Sequence, residues 1–104
     1  MKRYEVVQSL KRILRQVAPA ATVIIYGSEA RGDARPDSDI DLLILVEVEK
    51  LSLTEQQSIT FPLYDVEVES GILINPLVIS RTQWETTYKA TSFYHNVLRE
   101  GVKI

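Results

Sequence analysis

The sequence predicts an α/β (α+β) domain in which helices and strands alternate along one sheet. Three observations carry that prediction. Apolar residues recur at helical spacing over residues 2–17, β-branched runs fill 22–26 and 40–48, and a capping box at Ser52-Leu-Thr-Glu55 opens a helix before a third apolar run. Elements alternating in this way pack helices against a sheet that includes parallel strands. The 104 residues, 45% hydrophobic and 25% charged, suit one core and one domain over 1–104.

In the first helix Val6, Val7, Leu10, Ile13, Leu14 and Val17 line one side. Lys2, Arg3, Lys11, Arg12 and Arg15 form a basic face expected to lie in solvent, and Pro19 stops the helix. Thr22-Val-Ile-Ile-Tyr26 has the β-branched and aromatic profile of a buried strand, ended by Gly27-Ser28. Residues 28–32 read as a short helical turn, followed by a polar loop with Asp33, Arg35, Pro36 and Asp37. The second strand is Ile40 to Val48. A helix over 53–69, closed by Gly71, follows, and Pro62 is expected to kink or split it.

Tyr64, Val66 and Val68 alternate with Asp65, Glu67 and Glu69, which also fits a strand. Helix is the reading adopted, because a crossover helix lets strands 40–48 and 72–80 lie side by side. In the third strand Asn75-Pro76 points to an edge or a bulge. Arg81 to Tyr88 reads as a short helix or turn, and Ser92 to Glu100 as a final helix capped by Gly101.

Composition narrows the function. A formal charge of −2 provides no broad basic surface for non-specific nucleic-acid binding, and the absence of cysteine excludes disulfides and thiolate zinc sites. No apolar run reaches the roughly 18–20 residues that span a bilayer. The start, Met-Lys-Arg-Tyr-Glu, lacks a secretory signal, so a cytoplasmic location is expected.

The chemistry concentrates in residues 27–41. Asp39 and Asp41 precede and enter an apolar strand, and residues two apart in a strand point to the same face. Paired carboxylates repel unless a proton or cation lies between them, and Mg²⁺ is the economical occupant. Gly27-Ser28, where a strand turns into a helix, offers backbone N–H groups and a hydroxyl to phosphate. Arg31 has two readings, a phosphate contact or a brace to Asp37, Asp39 or Asp41. Ser38 either orients the carboxylates or caps the turn. Together these residues predict a site for a metal-bound nucleotide.

Gly27-Ser28-Glu-Ala-Arg31-Gly32 with Ser38-Asp39-Ile-Asp41-Leu-Leu resembles the signature of the polymerase-beta-type nucleotidyltransferase superfamily, and the short length resembles its minimal, MNT-type branch. The resemblance implies a small mixed β-sheet of three to five strands with helices packed mainly on one face. It implies transfer of a nucleoside monophosphate, AMP from ATP being the expected case, to a hydroxyl. In that scheme Gly27 and Ser28 hold the β- and γ-phosphates, with Arg31 and Ser38 beside them. Asp39 and Asp41 hold Mg²⁺ in a two-ion arrangement. It further implies a HEPN-domain partner carrying the acceptor hydroxyl, so that the domain acts as an antitoxin. Templated synthesis is not expected from a chain this short.

One feature departs from that signature. The family supplies a third carboxylate from a later strand, whereas Ile72-Leu-Ile-Asn75-Pro-Leu-Val-Ile-Ser80 holds no acid. Asn75 stands nearest the expected place; Asp65, Glu67 or Glu69 is a candidate third ligand, Asp65 and Glu67 first, against the favoured reading of these acids as a solvated helix face. The departure supports an alternative, a protein of this fold that binds and regulates a HEPN-type partner without transferring a nucleotide.

His95, the only histidine, reads as a surface helix residue. Trp84, Tyr88, Phe93 and Tyr94 read as packing for the last helix in preference to a nucleobase platform. The apolar residues Val97 and Val102 mark a candidate dimer or docking patch.

Overall fold

The computed structural model describes residues 2–104. In chain order the elements are α1 (Arg3–Val17), β1 (Thr22–Tyr26), α2 (Gly27–Arg31), β2 (Ile40–Val46), α3 (Leu53–Ser70), β3 (Ile74–Ser80), α4 (Arg81–Thr86), a 3₁₀ turn at Tyr88–Ala90, α5 (Ser92–Glu100) and β4 (Val102–Lys103). The four strands form one mixed sheet in the order β3-β2-β1-β4. β1 runs antiparallel to both β2 and β4, while β2 and β3 are parallel. A parallel pair needs a long crossover, and α3 supplies it.

α3 begins where the capping box places it. The Ser52 hydroxyl accepts from the Glu55 backbone N–H at 3.1 Å and donates to the Glu55 carboxylate at 2.9 Å. It ends at Gly71, whose φ of +73° lets its N–H return to the Glu67 carbonyl at 2.9 Å. The helix is not split at Pro62. Ile59, Leu63 and Val66 on either side of the proline are buried against the sheet, and that burial offsets the lost N–H bond. Residues 64–69 are therefore helix, and the strand alternative fails.

Alternation along the strands sorts side chains into two cores. Val23, Ile25, Ile40, Leu42, Ile44, Ile74 and Val78 meet Val6, Leu10 and Leu14 of α1 and Ile59, Leu63 and Val66 of α3. Leu43, Leu45 and Ile79 face the other way and meet Trp84, Tyr94 and Val97. The two long helices thus share one face, as expected, while the short α4 and α5 cover part of the other. β4 was not foreseen. Val102 and Lys103 pair with Ile25 and Ile24, and the Ile104 N–H donates to the Val23 carbonyl at 3.0 Å. Among the described residues no helix is long and apolar enough to cross a membrane.

Candidate active site

Ile40 and Leu42 are fully buried under α1 and α3, so the neighbouring Asp41 faces the opposite side of the sheet. Register places Asp41 between Tyr26 of β1 and Asn75 of β3. The Asn75 side-chain amide donates to Asp39 Oδ2 at 3.1 Å and to Asp41 Oδ1 at 3.1 Å. The two carboxylates therefore converge on one point, as i, i+2 spacing predicts. All three side chains reach solvent to some degree, which leaves the point accessible.

Gly27 forms the adjoining wall. Its φ is +72°, and a β-carbon built there would lie 2.5 Å from Asp41 Oδ2, so only glycine admits the carboxylate. Ser28 follows in the first turn of α2, where backbone N–H groups lack intrahelical partners. The Ser28 carbonyl accepts from the Asp33 N–H at 3.1 Å and helps close the turn at Gly32, whose φ is +79°. On the β1 side, burial first and the Asp41 charge second push the Tyr26 phenol above its ordinary pKa.

Other residues lie elsewhere than expected. Arg31 pairs with Asp33 at 3.3 Å and Glu100 at 3.4 Å, tying α2 to α5, and none of Asp37, Asp39 or Asp41 is its partner. Ser38 caps the turn: its hydroxyl accepts from the Arg35 N–H at 2.8 Å, and no bond joins it to the carboxylates. Glu67 accepts from the Ile74 N–H at 3.0 Å, and Asp65 is exposed on α3. The Glu67 carboxylate thus sits at the outer edge of β3, and neither acid joins the aspartate pair in a cluster of three among the described residues. Among the described residues no three His, Asp or Glu side chains form a metal-sized cluster.

Arg3 corrects the solvated reading of the α1 basic face. Its guanidinium bonds Glu29 at 2.7 Å, the Ser38 carbonyl at 2.8 Å and the Pro36 carbonyl at 3.3 Å. This one residue clips both ends of the 29–38 segment to α1. Its Nη2 is buried without a partner among the described residues. No local pattern singled it out from the other basic residues of α1.

The aromatic residues pack as expected. Trp84 packs against Tyr94 with centroids 4.7 Å apart and rings tilted by 39°, and Phe93 meets Tyr26 edge-on at 5.3 Å. His95 is exposed on α5. Val97 is buried in the second core and is not part of a surface patch, while Val102 remains half exposed.

The pair fits a small hard cation on two grounds. Its oxygens already converge on one donor, and the missing Gly27 side chain gives the Asp41 carboxylate the room it occupies. Two carboxylates leave further ligand positions for water or phosphate oxygen.

A strand–Gly-Ser–helix corner thus adjoins paired aspartates at the start of the next strand, Asp39 just before β2 and Asp41 within it. Residues 7–93 match the family described as "Nucleotidyltransferase domain", and the chain belongs to that family. It is 38% identical over 82 residues to a Methanocaldococcus jannaschii protein named "Putative protein adenylyltransferase", covering 79% of this chain and 76% of that one. A second protein of the same name and organism is 32% identical over 79 residues, covering 76% and 72%. Among solved structures, one described as a "putative minimal nucleotidyltransferase" superposes with a TM-score of 0.68 at 25% identity, covering 100% of this chain and 97% of that one. A chain from a structure described as a "toxin-antitoxin with AMP-PNP" superposes at 0.62 with 15% identity, covering 92% and 69%. That likeness is one of fold.

Proposed function

We propose that this nucleotidyltransferase-family domain moves AMP from ATP onto a hydroxyl of a protein partner, a HEPN-type toxin, and so acts as its antitoxin. The observation that carries the reading is the convergence of Asp39 and Asp41 beside the Gly27 corner. The named adenylyltransferase relatives support the nucleotide and the protein acceptor, and the toxin-antitoxin fold neighbours support the setting.

The acceptor oxygen forms a bond to the α-phosphorus, the bond to the leaving pyrophosphate breaks, and the hydroxyl proton is released. Gly27 and Ser28 cup the terminal phosphates through backbone donors and the hydroxyl. Asp39 and Asp41 would hold Mg²⁺, whose charge would offset the phosphates and lower the pKa of the acceptor hydroxyl. Arg3 fixes the loop that presents both aspartates, which supplies the positioning that phosphoryl-type transfer depends on.

The test uses labelled ATP, Mg²⁺ and the protein with its partner. Label on the partner, abolished by Asp39→Asn with Asp41→Asn, supports the enzyme. A specific observation favours a second reading: Asn75, a neutral amide, stands where a third carboxylate is expected. If a stable complex forms and no label is transferred, regulation by contact alone replaces transfer.

A further inference from the structure

Asn75 lies in register with Asp41 on the parallel neighbour strand, and its Nδ2 is 3.1 Å from one oxygen of each aspartate. Both neighbours are acceptors, so the end of the amide facing them is the NH₂ group. Its carbonyl there would oppose two negative oxygens. Each NH₂ hydrogen satisfies one carboxylate. The amide thus holds the pair together as a cation would, without adding charge.

We propose that Asn75 is a neutral placeholder that makes divalent-cation binding conditional on the nucleotide. This rests on reading residues 27–41 as a triphosphate-metal site. A lone cation entering between Asp39 and Asp41 must displace the NH₂ donor and gains only two anionic side chains. Cation affinity at oxygen sites follows the number of charged ligands, so this exchange is a weak one. A cation arriving with a triphosphate brings phosphate oxygens of its own and repays the displaced donor. On rotation the amide then turns its carbonyl inward as a neutral ligand. An aspartate at position 75 would remove the condition, since three carboxylates hold a cation without help.

The experiment titrates Mn²⁺ into the whole chain and into Asn75→Asp, followed by electron paramagnetic resonance, with and without a non-hydrolysable ATP analogue. In the unchanged protein Mn²⁺ binds about tenfold or more tightly when the analogue is present, after subtraction of the Mn²⁺ that the analogue binds without protein. Asn75→Asp binds Mn²⁺ alone about tenfold or more tightly than the unchanged protein does. Equal Mn²⁺ affinity with and without the analogue, or equal affinity of the two proteins for Mn²⁺ alone, overturns the proposal. Failure of the underlying reading looks different: neither protein then binds Mn²⁺ under any condition. Should aspartate loosen the fold, a thermal melt carries the same comparison. Mn²⁺ alone then raises the melting temperature of Asn75→Asp by about 4 °C or more and leaves the unchanged protein unmoved. A shift of equal size in both also overturns the proposal.

Discussion

Gly27 and Asp41 approach so closely that a β-carbon on the glycine would lie 2.5 Å from the aspartate oxygen. The corner proposed to cup phosphate and the acid proposed to hold the cation are thus one piece of geometry. Gly27→Ala therefore meets two costs, a left-handed backbone and a displaced carboxylate. Gly32, with φ +79° and open space around it, meets only the first. Gly32→Ala should cost about 1 kcal/mol and keep nucleotide transfer, whereas Gly27→Ala should cost about 2–3 kcal/mol and lose transfer. Thermal melts and the labelled-ATP assay separate the two.

Arg3 makes three bonds across a sequence distance of more than twenty residues, to Glu29, Pro36 and Ser38. Arg3→Ala should destabilise the fold by about 1–3 kcal/mol and speed hydrogen exchange over residues 36–41. Arg3→Lys should rescue little, because an ammonium cannot reproduce the guanidinium fork. Unchanged exchange in Arg3→Ala would show that the loop holds its shape unaided.

Glu67 receives the Ile74 N–H at 3.0 Å at the outer edge of β3 and forms no three-acid cluster with Asp39 and Asp41 among the described residues. Glu67→Ala should lower stability by about 1 kcal/mol and leave nucleotide-dependent Mn²⁺ affinity unchanged. Glu67→Gln, which keeps an acceptor oxygen, should recover most of that stability. A large loss of Mn²⁺ affinity in either variant would restore Glu67 as a metal ligand.

Tyr26 ionises above the ordinary value of 10.0, through burial and then the charge of Asp41. The unfolded chain releases this proton first, so stability is full below that ordinary value. It falls as pH rises from there through the raised native value, and then levels off. Asp41→Asn should move the native ionisation partway down, with burial keeping the rest of the shift. Alkaline titration followed by phenolate absorbance checks both the direction and the partial return.

What could be read from residue order was whatever depends on near neighbours. The spacing of Val6, Leu10 and Leu14 marks α1, the Ser52–Glu55 box marks the start of α3, and Asp39 with Asp41 marks a shared face. Each is a local regularity of helix or strand. What escaped depends on partners far along the chain. Arg3 looked like any other cation of α1 until the fold brought Ser38 to it. Arg31 found Glu100. The place of Asn75 near the site was legible from the resemblance, while its bonds to both aspartates came from the register of a parallel pair built by the α3 crossover. β4 has two residues, too short for any periodicity to declare it.

Pro76 has a consequence beyond its own strand. The Ile40 N–H bonds the Leu73 carbonyl, so the odd-numbered backbone groups of β3 turn toward β2 and the even-numbered ones turn outward. Of the outward donors, that of Ile74 is taken by Glu67 and Pro76 has none. The free border of the sheet thus offers an incoming strand a broken ladder at its first two rungs. A border of that kind discourages copies from zipping together as the protein is concentrated.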